Sequence, residues 1–370
     1  MRKTPLRKSL LTYSAALLYF SLGLIFGTIG PLVALFQIIG YATGETGWVG
    51  GSFYLGTFVA AAVAYFRLRR NLKFYYDLSI ILMCVGLSFL TIGKDISLYI
   101  LGLFLYGFGL GTVEVTITIL SNIFKDVEAF NTLIRVPLPF AALAAPHIFK
   151  LFEEVWNFFY IFPLILLLVS FLLSYFSRIE ENLRKNENIS NGFNTRVLLL
   201  MVAMFAYTII EQGTSSWLPT FFLGKGLALV NANEIVSYFW MTFAVSRVMF
   251  IALVRKMGGM KTLIFLAIVS FTFSLLSLYI TEAETSMLCW MITGAAIAPM
   301  FPLIIANAAV SGEIRDVSLV YGIGMLGPSI AVPLIGKLAE YIGIQYAMIL
   351  IPSSALTILL TTYIIRSIEK

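Results

Sequence analysis

The sequence has 370 residues, of which 59% are hydrophobic and only 12% charged, and its mean hydropathy is +0.93. Soluble domains carry about 25% charged residues, so this composition excludes an ordinary water-soluble globular protein. A membrane-spanning helix needs roughly 20 apolar residues, which leaves room for about twelve such helices and little else. We therefore predict an all-α membrane protein.

Apolar runs separated by charged or turn-rich breaks define the predicted spans in chain order. The first follows a basic N-terminal stretch, and since no small-residue cleavage site interrupts it, we expect a retained helix. The fifth run is interrupted by Arg135, Pro137 and Pro139, so the count of twelve depends on it. The predicted spans are 10–36, 45–66, 74–92, 97–123, 131–151, 156–177, 197–223, 232–254, 262–280, 286–309, 317–337 and 343–366.

Lysine and arginine are distributed unevenly over alternate loops. Cytoplasmic loops of membrane proteins are enriched in these residues. One side holds 19 of them and the other only four (Lys94, Lys150, Lys225 and Lys337). This places both termini in the cytoplasm of a multi-pass protein of the cell membrane. The topology also accounts for the net charge of +6, so no nucleic-acid partner is expected.

A strongly polar stretch at 178–196 divides the chain into two halves. We predict a six-helix bundle over 1–177, a cytoplasmic linker over 178–196 and a second bundle over 197–370. A basic run follows the second span, at 67–70, and a similar one follows the eighth, at 255–256. Matching features in two halves are typical of transporters built from repeats. The layout resembles the major facilitator superfamily, which implies twelve helices in two six-helix bundles.

Soluble-enzyme and metal signatures are missing from the sequence. It contains no Walker loop, no G-x-S-x-G motif and no paired histidines. Its two cysteines, Cys84 and Cys289, lie in apolar stretches, and His147 is its only histidine. We expect no enzyme activity, no cofactor and no metal site, with transport driven by gradients.

Glu114 is a carboxylate inside the fourth predicted span. A charge at the bilayer centre costs at least about 2.5–3.5 kcal/mol, so it needs a reason. Gly107, Gly111, Glu114 and Thr118 share one helix face at helical spacing. This face is suited to substrate binding or proton transfer. The alternative is a packing face on which Glu114 belongs to a structural ion pair.

Glu211 lies near the middle of the seventh predicted span. Tyr207, Glu211, Thr214 and Ser215 form one stripe on that helix. Hydroxyls, a carboxylate and an aromatic ring are groups that a polyol site uses. The stripe predicts a substrate site with Glu211 as the proton carrier and Glu114 as the second candidate. The alternative is a polar seam between helices.

Arg135 and Arg247 lie inside the fifth and eighth predicted spans. Counting 1.5 Å per residue places both at about the depth of Glu114. We predict that they form a cytoplasmic gate. The alternative is that both arginines extend to the cytoplasmic interface.

Five short motifs follow one another along the chain: Gly109–Glu114, Glu211 with Trp217-Leu218, Tyr238–Trp240 with Arg247, Met300–Pro302 and Val332–Ile335 with Gly336. In order and spacing they resemble one branch of the superfamily, the fucose/glucose–galactose proton symporters. Two departures stand out: Thr118-Ile119 replaces the family's Asn-Pro, and Gly27–Pro31 lacks the family's first-helix carboxylate. The resemblance implies a sugar and proton site that includes Glu114, while the missing carboxylate leaves coupling through the first helix without a carrier.

These residues predict a secondary active transporter that takes up a small polar solute by alternating access. The expected substrate is a sugar, the expected coupling ion is the proton, and Trp217 is the expected stacking surface. One alternative is an exporter of drugs or of amphiphilic, lipid-like compounds, with which the 15% aromatic content is compatible. Another is a non-transporting receptor or scaffold, but that would need a soluble region far larger than 178–196.

Overall fold

The computed structural model describes residues 3–67, 71–120, 124, 130, 133–152, 155–177, 194–309 and 314–368. Regular structure in these ranges is helical, and no strand occurs in them. A 3₁₀ turn at Trp156–Tyr160 precedes α6, and a π-helical segment at Ile209–Gly213 joins α7 to α8. The helices are α1 Lys3–Ile38, α2 Thr43–Arg67, α3 Leu72–Ile92, α4 Ile96–Leu120, α5 Pro137–Lys150, α6 Ile161–Ser177, α7 Thr195–Thr208, α8 Thr214–Leu223, α9 Leu229–Met257, α10 Gly259–Tyr279, α11 Ala283–Ile297, α12 Met300–Ala309, α13 Ile314–Ile342, α14 Ile344–Ala347 and α15 Leu350–Ile368.

Helix ends coincide with residues that favour them. The Asn194 side chain accepts a hydrogen bond from the Arg196 N–H at 3.0 Å, which caps α7. Gly258 separates α9 from α10 with a φ of 81°, a conformation that glycine adopts without a steric penalty.

Ten helical stretches among the described residues are long and apolar enough to cross a membrane. The predicted fifth span corresponds to α5, which has 14 residues, and residues 131–132 at the start of that span lie outside the described ranges. The predicted eighth span is α9, which has 29 residues. Large apolar side chains such as Phe140, Phe176 and Tyr363 are at least 60% exposed, as expected for a surface that contacts lipid. The predicted all-α, twelve-span fold is confirmed.

The chain divides into two compact units. The first comprises residues 1–28 and 52–187, and the second comprises residues 29–51 and 188–370. Most of the predicted linker, 178–193, lies outside the described residues, and α7 begins at Thr195. The domain boundaries derived from the sequence stay a prediction.

In the first unit, glycines allow close helix contacts. A Cβ on Gly107 of α4 would lie 1.9 Å from the Phe53 carbonyl oxygen of α2, and one on Gly56 of α2 would lie 2.2 Å from the Phe104 oxygen of α4. Hydroxyls join other helices: Ser14 of α1 hydrogen-bonds Ser170 of α6 at 3.0 Å. Small residues and interhelical hydrogen bonds are the usual means of packing helices in a membrane.

In the second unit, α7 packs against α13 and α15. Thr208 of α7 donates a hydrogen bond to the Gly324 carbonyl of α13 at 2.6 Å. A Cβ on Gly327 would lie 2.5 Å from the Phe205 carbonyl oxygen. This contact holds the π-helical segment, and with it Glu211, against α13.

Candidate functional site

Glu114 is the centre of a three-residue cluster in the first unit. The Arg135 guanidinium donates to one carboxylate oxygen at 2.7 Å, and the Tyr19 hydroxyl donates to the other at 2.7 Å. The guanidinium also lies over the Tyr19 ring, 5.0 Å from its centroid. The Glu114 side chain is 11% exposed and that of Arg135 is 33% exposed. Hydrogen bonds to both oxygens of this carboxylate fix its orientation.

Gly107 and Gly111 on the same helix face α2 and not the carboxylate cluster. A Cβ on Gly111 would lie 2.3 Å from the Thr57 carbonyl oxygen. The face that the sequence groups as small and polar therefore serves two purposes, since its glycines pack and its carboxylate binds Tyr19 and Arg135. The Thr118 side chain lies outside the described part of the structure, so its substrate contact stays a prediction.

Glu211 lies in the π-helical segment of the second unit. A π-helical turn displaces side chains from the regular helical pattern and is frequent at functional sites. The Tyr207 hydroxyl and the Arg247 guanidinium, contributed by α7 and α9, lie beside the Glu211 carboxylate. The second unit thus also contains a carboxylate with a tyrosine and an arginine for neighbours.

The two arginines lie beside different carboxylates. Depth along the helices groups Arg135 and Arg247 with Glu114, but the structure places Arg135 against Glu114 and Arg247 against Glu211. Depth along a helix does not give the direction in which a side chain points, and Arg247 lies beside Glu211 in the π-helical segment. A gating role for either arginine stays a prediction.

The remaining predicted binding residues are buried in helix packing. Thr214 is 0% exposed, Ser215 2% and Trp217 0%. The Trp217 indole N–H donates to the Val332 carbonyl of α13 at 3.1 Å. In this conformation Trp217 joins two helices, and its role as a stacking surface for a sugar stays a prediction.

Tyr19 is a site residue that the sequence reasoning missed. A repeat carries the signal: Tyr19 precedes Pro31 by twelve residues, and Tyr207 precedes Pro219 by the same number. Tyr207 thus follows Tyr19 by 188 residues, and Arg255 follows Arg67 by the same 188 residues. Aligning the two halves on these positions would have singled out Tyr19 as the counterpart of Tyr207.

Metal coordination finds no support within the described ranges. No three side chains of His, Cys, Asp or Glu in them lie close enough together to hold one metal ion. The chemistry available to both clusters is hydrogen bonding, ion pairing and proton transfer.

Comparison with known proteins identifies the family. The profile of the Major Facilitator Superfamily matches residues 15–313. The chain belongs to this superfamily. Membership and the membrane-spanning helices make it a multi-pass membrane protein.

Individual relatives agree with this assignment. The chain is 24% identical over 258 residues to the glucose/mannose transporter GlcP of Bacillus subtilis (strain 168), and the match covers 63% of each protein. The matched region thus spans just under two thirds of that relative's length. In fold it is similar to a D-xylose–proton symporter, with a TM-score of 0.75, 13% identity and coverage of 96% of this chain and 95% of the other. It is also similar to the fucose–proton symporter FucP of E. coli, with a TM-score of 0.66, 15% identity and coverage of 96% and 98%.

Proposed function

We propose that this transporter takes up a sugar together with protons by alternating access, in a cell membrane with both its termini in the cytoplasm. The observation that carries the proposal is a carboxylate inside the membrane in each unit, with a tyrosine and an arginine beside it. Ionisable groups are costly in a membrane and mark substrate or ion pathways.

A sugar is supported by the chemistry of these groups. Carboxylate and guanidinium groups bind sugar hydroxyls through several directional hydrogen bonds, and aromatic rings contact the apolar face of a pyranose. The named relatives include a glucose/mannose transporter. The proposed substrate residues are Glu114, Thr118, Tyr207, Glu211, Thr214, Ser215 and Trp217.

Proton coupling is assigned to Glu211 rather than Glu114. Both oxygens of Glu114 accept a hydrogen bond at 2.7 Å, one from Tyr19 and one from Arg135, which ties this carboxylate into a structural cluster. Glu211 is half-buried, and Arg247 lies beside its carboxylate. Protonation of Glu211 would neutralise it and release Arg247 to bind the substrate. Loss of the proton would restore the attraction to Arg247 and favour release.

The test is transport by Glu211→Gln in vesicles of purified protein. We expect this variant to lose uphill accumulation of sugar driven by a pH gradient while it still exchanges labelled sugar across the membrane. Glu284→Gln, at an exposed carboxylate in the first turn of α11, is the matched control and should accumulate sugar normally. Normal accumulation by Glu211→Gln would exclude Glu211 as the coupling residue. If the wild-type protein does not respond to a pH gradient, coupling to protons is wrong.

A further inference from the structure

The second unit contains two buried hydrogen-bond donors without an acceptor. Tyr207 is 0% exposed, yet its hydroxyl makes no hydrogen bond, and the buried Arg247 Nε makes none either. Both side chains lie beside the Glu211 carboxylate. Burying a polar group without a hydrogen bond is unfavourable, and most of all when the group is charged. An acceptor carried by a solute would satisfy both donors.

The cluster in the first unit indicates the chemistry of that acceptor. There, Tyr19 and Arg135 each donate, at 2.7 Å, to one oxygen of the Glu114 carboxylate. The second unit supplies the same two kinds of donor, a phenol and a guanidinium, but leaves them without hydrogen bonds. A guanidinium presents its N–H groups in one plane and matches the two oxygens of a carboxylate. A carboxylate on the solute is therefore the group that completes the second cluster.

Aromatic rings lie next to these donors. The Arg247 guanidinium lies over the Phe243 ring, with Cζ 4.7 Å from its centroid, which restricts its movement. The Tyr207 ring lies 5.8 Å from that of Phe301 in α12, and Phe301 lies 6.4 Å from the ring of Tyr321 in α13. Phe301 and Tyr321 are both partly exposed. They offer an apolar surface for the carbon skeleton of a solute whose polar end reaches the donors.

We propose that Tyr207 and Arg247 form a subsite for a carboxylate of the substrate, so that the transported sugar is a sugar acid such as a uronate or an aldonate. The carboxylate accepts hydrogen bonds from the Tyr207 hydroxyl and the Arg247 guanidinium, and the carbon skeleton lies against Phe301. This inference rests on the proposed function, both for the sugar and for the proton on Glu211.

Glu211 sets a condition on the binding of an acid. An ionised Glu211 repels the carboxylate of the solute, so both fit only when Glu211 carries a proton. Helices α13 and α15 pack on its segment through the apolar Ile335 and Ile351, which lie next to Gly213. One negative charge thus enters with one proton, and uptake moves no net charge. The polar groups that face the Glu211 carboxylate are Tyr207 of α7, Arg247 of α9 and Gln212 of its own segment.

Uptake by purified protein in vesicles tests the substrate class. Labelled D-glucuronate and D-gluconate are compared with D-glucose and D-mannose under the same inward pH gradient. We expect at least one acid to accumulate at least tenfold faster than both neutral sugars. Equal rates, or accumulation of the neutral sugars alone, would overturn the sugar acid and leave the proposed function standing. If the protein accumulates none of the four, both proposals are wrong.

A membrane potential tests the charge balance. A potassium gradient with valinomycin makes the vesicles negative inside, which favours entry of net positive charge. Uptake of the acid should change less than twofold, because one carboxylate and one proton carry no net charge together. A neutral sugar that enters with a proton would be accelerated instead. Strong acceleration or slowing of acid uptake would overturn the pairing of one proton with one carboxylate.

Substitutions at the two donors test the subsite itself. Arg247→Gln should raise the KM for the acid at least tenfold, and Arg247→Lys, which keeps the charge, should restore part of the affinity. Tyr207→Phe removes one hydroxyl at nearly the same shape and should raise the KM several-fold. Lys256→Gln, at an exposed cation on the same helix, is the matched control and should keep the wild-type KM.

Folding of each variant is checked by its melting temperature, and if Arg247→Gln does not fold, Tyr207→Phe decides. D-glucuronamide, in which an amide replaces the carboxylate, should inhibit the wild-type protein and Tyr207→Phe equally weakly. A wild-type KM for the acid in the folded variants would overturn the subsite. A KM raised equally for the acid and for the amide would do the same, since the effect would then not concern the carboxylate.

Discussion

The ion pair between Glu114 and Arg135 should contribute to the stability of the protein. Glu114 is 11% exposed and accepts from both Arg135 and Tyr19, so removing its charge leaves Arg135 partly buried without its carboxylate partner. Stranding one member of a fully buried ion pair costs about 3–5 kcal/mol. Because Arg135 is 33% exposed, solvent reduces this, and we expect about 1–3 kcal/mol.

A double-mutant cycle measures this coupling. Glu114→Gln alone should lower the melting temperature of the purified protein more than Glu114→Gln combined with Arg135→Gln, since the double variant strands no charge. Lys337→Gln, at a pair in which the lysine is 59% exposed, is the control and should change the melting temperature little. Additive losses at Glu114 and Arg135 would show that the two charges act independently.

Helix packing in the first unit depends on reciprocal glycines where α2 and α4 meet. Gly56 and Gly107 each face a carbonyl oxygen of the opposite helix, at 2.2 and 1.9 Å from the position of an added Cβ. Any side chain there must push the helices apart. The position of Glu114, which lies two turns beyond Gly107 on α4, depends on this contact.

Gly107→Ala should therefore destabilise the protein by about 1–3 kcal/mol, the usual range for overpacking. The loss should be measured as a lower melting temperature and as a smaller peak of folded protein in size-exclusion chromatography. Gly322→Ala, with open space around the new methyl group, should be neutral or slightly stabilising. If both variants melt at the wild-type temperature, α2 and α4 do not pack through these glycines in the membrane.

At the scale of the whole molecule, the distribution of lysine and arginine predicts the orientation. The two ends of α10 lie near Lys261 and Glu282, both of which are exposed. One helix joins them, so they must face opposite sides of the membrane. The basic end is predicted to face the cytoplasm.

Cysteine labelling in intact cells tests this orientation. In the protein without its native cysteines, Glu282→Cys should react with an impermeant maleimide added outside, and Lys261→Cys should react only after the cells are opened. The reverse pattern would invert the topology. Reaction of both from outside would show that α10 does not span the membrane.

Composition and periodicity determined the fold class, because a bilayer admits few alternatives to long apolar helices that satisfy their own backbone hydrogen bonds. They also determined which residues needed a functional account: Glu114, Glu211, Arg135 and Arg247 are charges that a membrane tolerates only for a reason. A resemblance in short motifs pointed to the family to which the chain belongs. These conclusions follow from the linear sequence, since each concerns the residues that a single helix can contain.

Which residues meet was decided by the tertiary structure. Helical spacing gives the face and depth of a side chain, but it does not give the rotation and neighbours of each helix. Arg247 therefore was grouped with Glu114 on depth, although it lies beside Glu211, and Tyr19 was missed although it donates to Glu114. The assignment of 29–51 to the second unit likewise depends on contacts with Ser215 and Pro333, which lie more than 160 residues away in sequence. Contacts between distant segments arise only when the helices pack, because the side chains that fit together are chosen by shape and charge in three dimensions.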